Sequence, residues 1–206
     1  MLRNGENGFG TITIVLHWTI ALLILGLMLI GFVMRRIEID PALQFSLYQW
    51  HKSLGFTALG LAALRAIWWL ADRTPRPVPG LRPFENFAAR ETHGILIILG
   101  LITPLAGWAV ASASTLNMPS FYFNIIVIPH LPLSQSESSE AFWAITHAFL
   151  AYVMLALVAI HAAAALYHHF VRGDEVLIRM LRSRLGSSDV GAVDGREADN
   201  AAAGRK

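Results

Sequence analysis

No cysteine occurs in the 206 residues. Disulfides, thiolate metal sites, iron–sulfur clusters and covalent c-type haem attachment are excluded with it. Histidine is left as the expected metal ligand, and there are eight. Charge is scarce as well. Charged residues make up 15% of the chain, against about 25% in a soluble domain. The net charge is only +2, so where the charges lie matters more than their sum, and no nucleic-acid partner is expected.

What is abundant is apolar sequence, 55% of the chain. Residues 12–34, "ITIVLHWTIALLILGLMLIGFVM", carry no formal charge. Residues 51–71 carry Lys52 near the start and Arg65 within. Residues 93–113 and 141–171 contain no Asp, Glu, Lys or Arg. Each run meets the length of about 20 residues that crosses a bilayer. The first is too long for a signal peptide and lacks a small-residue cleavage site. The expectation is an all-α membrane protein, a bundle of four transmembrane helices.

Arginine placement predicts its direction, because positive loops stay inside. Loop 72–92 carries Arg73, Arg76, Arg82 and Arg90, and the sequence after residue 171 carries Arg172, Arg179, Arg182 and Arg184. Loop 114–140 has no Lys or Arg at all. Both termini and the middle loop are therefore expected in the cytoplasm. Arg35 and Arg36 on the opposite side are outvoted.

Residues 1–182 are read as one membrane domain. Residues 183–206 are small, polar and glycine-rich, and are expected to form a disordered tail. The stretch 120–133, "SFYFNIIVIPHLPL", is apolar but short, with two prolines. It is expected to lie along the outer membrane surface, anchored by its aromatics. A quinone headgroup contact there is the second reading.

Lipid offers no water to satisfy an imidazole, yet His147 and His161 stand inside apolar sequence. Fourteen helical residues rise about 21 Å and turn within about 40° of four full turns. The two rings therefore project from one helix face at two depths. One buried histidine is usually a hydrogen-bonded polar residue or part of a proton path. Two on one face need partners, and the arginine-derived orientation supplies them. His17 lies near the cytoplasmic start of the first span, level with His161. His51 lies at the outer start of the second, level with His147. Neutral imidazoles facing each other across a bundle are the axial ligands of b-type haem. The reading is two non-covalently held haems b, with His17, His51, His147 and His161 as metal ligands.

His93, at the cytoplasmic start of the third span, competes with His17; His17 is preferred as the one well inside its span. Gly55, one turn after His51, could admit a flat macrocycle close to the backbone. Arg65, fourteen residues after His51, falls on the haem-facing side near the inner haem. Its counter-charge is either a haem propionate or the cytoplasmic headgroups. Gly94, Gly100 and Gly107 fit small-residue helix packing. His168 and His169 are read as interfacial, with at most one facing the bundle, and His130 as solvated.

The segments "LHWTIALLIL", "YQWHKSLGF" and "THAFLAYVMLALVAIHAAAALYHH" resemble the bacterial cytochrome b561 family over roughly residues 10–182. "HAAAALYHH" is the most specific piece. The resemblance implies the same four ligands, His17, His51, His147 and His161. It also implies a ubiquinone partner. At least one relative oxidises superoxide at its outer face and passes the electron to quinone; other relatives are electron-transfer subunits of larger enzymes. The function expected here is electron transfer between an outer-face donor, such as superoxide, and the ubiquinone pool. The alternative is a membrane haem subunit of a partner dehydrogenase. Bis-histidine iron keeps no open coordination position, so a donor must pass its electron at the haem edge. Arg35, Arg36 and Lys52 could gather an anion there, diluted by Glu38 and Asp40; the alternative is that they only anchor to headgroups.

Overall fold

The computed structural model describes residues 2–183. The expected tail lies outside these apart from Ser183. Four long helices run α1 (Thr11–Arg36), α2 (Pro41–Ala71), α3 (Pro83–Ala113) and α4 (Glu137–Tyr167), the last continued by a π-helical turn at His168–Arg172. Two short strands, β1 (Ser120–Tyr122) and β2 (Ile126–Ile128), stand between α3 and α4, and a single turn, α5 (Ile178–Leu181), follows. All four long helices are long and apolar enough to cross a membrane.

Side-chain caps start three of the four long helices. The Asp40 carboxylate accepts from the backbone N–H groups of Ala42 and Leu43 at 3.0 and 3.1 Å, with Pro41 in the first turn. The Glu85 side chain accepts from Arg82 N–H at 2.8 Å, with Pro83 at the start of α3. The Ser136 hydroxyl accepts from Ser139 N–H at 3.2 Å at the head of α4. These caps lie several residues before the apolar runs begin. The helices are therefore longer than hydropathy alone marked: α2 and α3 each start ten residues earlier, at Pro41 and Pro83.

The helices pack in chain order, α1 on α2, α2 on α3 and α3 on α4. Small buried side chains line the middle of this stack: Ala58 and Ala62 on α2, and Thr103, Ala106 and Ala109 on α3. A Cβ added at Gly100 would lie 3.5 Å from the Ala62 methyl, so here a missing side chain does serve close helix packing. Leu22, Leu29, Ile67, Leu70, Ile98, Ile145 and Phe149 point outward and are exposed, as a lipid-facing surface requires.

The two ends of the bundle are tied differently. At the end where the described residues begin and stop, the termini end, Asn4 accepts from Gly10 N–H and from the Thr13 hydroxyl, both at 2.8 Å, and donates to the Arg73 carbonyl at 2.9 Å. Trp68 Nε1 donates to the Thr13 hydroxyl at 3.0 Å. The C-terminal segment latches on through Trp18 Nε1 to the Met180 carbonyl, Arg179 to the Arg76 carbonyl, and Arg172 to Glu85.

At the other end, β1 and β2 pair antiparallel, with Phe121 opposite Val127. The apolar stretch expected to lie flat along the membrane is thus a hairpin folded onto the bundle, the one pair of strands among the described residues. The buried Ser53 hydroxyl accepts from Phe123 N–H and lies 3.0 Å from the Phe121 carbonyl. Ser112 accepts from Leu131 N–H at 2.9 Å, and Trp108 Nε1 donates to the Pro129 carbonyl at 3.0 Å. Its apolar tip, Ile125 to Val127, remains exposed.

Candidate haem-ligand sites

At the hairpin end, His51 of α2 and His147 of α4 face each other with ring centres 6.2 Å apart and planes at 89°. His147 Nδ1 lies 2.9 Å from the Thr103 carbonyl oxygen. A carbonyl can only accept, so Nδ1 carries the proton and the Nε2 lone pair is left for a metal. A backbone acceptor fixing the tautomer of a ligating histidine is a recurrent device. The buried Nδ1 of His51 has no partner of full hydrogen-bond geometry, although the Leu27 carbonyl lies within its electrostatic reach.

At the termini end, His17 of α1 and His161 of α4 also stand 6.2 Å apart, with planes at 67°. His93 of α3 comes closer, 5.1 Å from the His161 ring centre. Arg65 reaches the same place. Its Nη1 donates to the Thr13 carbonyl at 3.2 Å, and its charge is felt at both His17 and His93. Among the described residues, no group of three or more His, Cys, Asp or Glu converges as a metal cluster. The chemistry on offer is therefore pairwise.

An imidazole nitrogen binds a first-row metal at about 2.0–2.1 Å and lies about 1.1 Å from its own ring centre, so two rings on opposite sides of one metal stand about 6.3 Å apart. The two 6.2 Å pairs fit that separation. The 5.1 Å approach of His93 to His161 is too short for it.

The other residues singled out in the sequence fall as follows. Gly55 borders open space: a Cβ there would meet nothing within 4 Å. Lys52 is half-buried beside His51, while Arg35 and Arg36 are exposed in the last turn of α1. His168 is paired with Asp174 at 2.5 Å, whereas His169 packs edge-on against Phe170. His130 is only partly exposed and lies 3.3 Å from the Met118 carbonyl rather than free in solvent. His51 is not at the start of its helix but ten residues inside α2, and His93 is ten residues inside α3. Depth within a span therefore does not separate His93 from His17.

Sequence reasoning missed three residues that touch the histidines. Thr103 offers its carbonyl to His147. A Cβ on Gly31 would lie 3.4 Å from His51 Cε1, and one on Gly107 would lie 3.0 Å from His147 Cε1. A backbone carbonyl leaves no trace in the sequence, and a glycine against an imidazole looks like any helix-packing glycine.

The family model described as prokaryotic cytochrome b561 matches residues 8–183. Among curated proteins, cytochrome b561 homolog 2 of Escherichia coli K12 is 27% identical over 188 residues, covering 91% of this chain and 97% of that one. A Yersinia pestis protein named probable superoxide oxidase CybB is 26% identical over 182 residues, covering 86% and 98%. Cytochrome b562 of Cereibacter sphaeroides is 27% identical, covering 87% and 98%.

Proposed function

Because the chain belongs to the prokaryotic cytochrome b561 family, a family of haem-binding membrane electron carriers, we propose that it holds two haems b and moves electrons between superoxide at the hairpin end and the ubiquinone pool. The observation that carries the two-haem reading is the pair of 6.2 Å imidazole separations at two depths of one bundle. Both ends offer the same donor set, one ring from α4 and one from an earlier helix.

Haem, when bound, supplies reversible one-electron chemistry. The chain's own residues do the rest. His51 with His147, and His17 with His161, would hold a haem between two imidazoles, which would disfavour oxygen binding at its iron. Thr103 holds the His147 ring with Nε2 presented inward. Arg65, inside the bundle beside His17 and His93, stands where it can balance a propionate. Gly55 leaves room beside His51 for the face of a macrocycle. At the hairpin end, Lys52, Arg35 and Arg36 attract a small anion.

The balance is simple. Two superoxide anions each lose one electron to become dioxygen, and one ubiquinone takes those two electrons and two protons to become quinol. Superoxide as donor is supported by the similarity to the Yersinia protein named probable superoxide oxidase. The arginine-rich termini end and the cation-free loop 114–140 support a cytoplasmic termini end and an outward-facing hairpin.

The test is a reduced-minus-oxidised spectrum with a haem-to-protein ratio, on wild type and four alanine variants. His51→Ala or His147→Ala should lose one haem and keep the other; His17→Ala or His161→Ala should lose the opposite one. A ratio unchanged from wild type in any variant removes that residue from the ligand set. If wild type is reduced by other donors but never by superoxide, and a stoichiometric protein copurifies, the chain is instead the membrane haem subunit of a partner dehydrogenase.

A further inference from the structure

Gly107 and Gly31 are set apart from the other helix glycines by what faces them. A Cβ added at Gly26, Gly55, Gly60 or Gly94 would meet nothing within 4 Å. At Gly107 it would stand 3.0 Å from Cε1 and 3.2 Å from Nδ1 of His147. At Gly31 it would stand 3.4 Å from Cε1 and 3.9 Å from Nδ1 of His51. Carbon atoms in comfortable contact lie about 3.5–4.0 Å apart. At the first site the ring or the helix must give by a few tenths of an ångström to admit a methyl group, while the second is at the edge of ordinary contact.

Each ring crosses to the preceding helix, His147 from α4 onto α3 and His51 from α2 onto α1, and each meets a glycine there. The Thr103 carbonyl, one turn before Gly107 on the same face, accepts from His147 Nδ1–H, whereas His51 Nδ1 has no partner of full hydrogen-bond geometry. At Gly107 the Cε1–Nδ1 edge meets the helix while Nε2, at 3.7 Å, is held off. The ring has little freedom to retreat. It is tethered to α4 at one side, and its Nδ1–H is committed to the Thr103 carbonyl at 2.9 Å.

We propose that Gly107 is a positioning residue for the hairpin-end haem: it lets the His147 ring lie against the α3 backbone, where Thr103 fixes its tautomer and Nε2 is turned inward. Gly31 likewise lets the His51 ring lie against α1, more loosely. This rests on the reading of His147 and His51 as axial ligands. Among the described residues no glycine faces the rings of His17 and His161 in this way, so the device belongs to the hairpin-end site.

The experiment uses the full-length protein in membranes carrying Gly107→Ala, Gly31→Ala or the control Gly60→Ala. The haem-to-protein ratio, the highest g-value of each ferric centre and its midpoint potential are read. The g-value follows the relative orientation of the axial rings, which a purely structural glycine would not move. Gly107→Ala should lose the hairpin-end haem or shift its g-value and potential, with the other haem unchanged. Gly31→Ala should give a smaller shift without loss, and Gly60→Ala none. A His147→Ala variant that keeps both haems overturns the ligand reading. If His147→Ala loses one haem while Gly107→Ala keeps the same haem unaltered, the glycine's role alone is overturned. Should Gly107→Ala fail to accumulate, His147→Gly and His147→Gly/Gly107→Ala are compared with imidazole supplied. An untethered ring can step back from the new methyl, so both should accumulate equally and regain the haem. Failure of the double variant alone assigns Gly107 to helix packing and overturns the proposal.

Discussion

His93 is the residue on which the termini-end assignment turns. Its ring is closer to His161 than the ring of His17 is, 5.1 against 6.2 Å. The sequence argument preferred His17 as the deeper residue in its span, but α3 extends ten residues ahead of His93, so that ground is gone. Separation is the better one: about 6.3 Å is what one metal between two imidazoles requires. We therefore expect His17→Ala to abolish the termini-end haem and His93→Ala to retain it. Haem quantitation decides between them, and the opposite pattern would exchange their roles. Arg65 gives a second test. A cation beside a redox centre favours its reduced form, so Arg65→Gln should lower the potential of the termini-end haem. The shift should be on the order of 60 mV, one tenfold change in a one-electron equilibrium. The hairpin-end potential, about 21 Å away along α4, should scarcely move. Redox titration of the two centres reads both, and an equal shift of both would place Arg65 elsewhere.

The hairpin is the element with the most to lose from a single atom. The Ser53 hydroxyl, buried on α2, serves Phe123 N–H and the Phe121 carbonyl at once. Ser53→Ala should leave a buried backbone N–H unpaired, at a cost of about 1–3 kcal/mol. The expected outcome is faster proteolysis between residues 114 and 136 in the intact membrane protein, with both haems retained; unchanged proteolysis would mean that β1 is held by other contacts. The sequence could not announce this element. "SFYFNIIVIPHLPL" is mostly apolar, and its strands are three residues each, too short for an alternating pattern to register. What folds it onto the bundle is a hydroxyl sixty-eight residues away from Phe121 in sequence. The long helices were legible because a membrane span needs only length and apolarity. Their first turns were not, because Asp40, Arg82 and Ser136 begin them outside the apolar runs. The pairing of histidines was legible through the fourteen-residue spacing on α4, a property of one helix. The backbone acceptor at Thr103 and the glycines beneath the rings depend on how two helices meet, and no spacing within one helix encodes that.

At the scale of the whole molecule, the two ends differ in how their charges are used. At the termini end, Arg3 pairs with Asp72, Arg76 with Glu6 and Arg172 with Glu85, and the buried Arg179 donates to the Arg76 carbonyl. These cations tie chain segments together. At the hairpin end, Arg35 and Arg36 sit exposed at the end of α1, and Lys52 lies next to His51 on α2. Asp40 at this end is engaged by the first backbone amides of α2. Glu38, Asp40, Glu137 and Glu140 also stand at this end, one carboxylate more than the cations, so any pull on an anion rests on the local placement of Arg35, Arg36 and Lys52 beside the proposed outer haem. If superoxide is the donor, its rate of haem reduction should fall as salt rises, since the Debye length shrinks to about 8 Å at 0.15 M. Replacing Arg35, Arg36 and Lys52 together by Gln should slow reduction by up to about tenfold, the low end of electrostatic steering, and flatten the salt dependence. Electron exchange with quinone should be little changed, because no proposed ligand is altered. The measurement is haem reduction after a superoxide pulse, in wild type and triple variant, at low and high salt. Equal rates under all four conditions would remove the cationic docking surface and leave those three side chains as anchors to lipid headgroups.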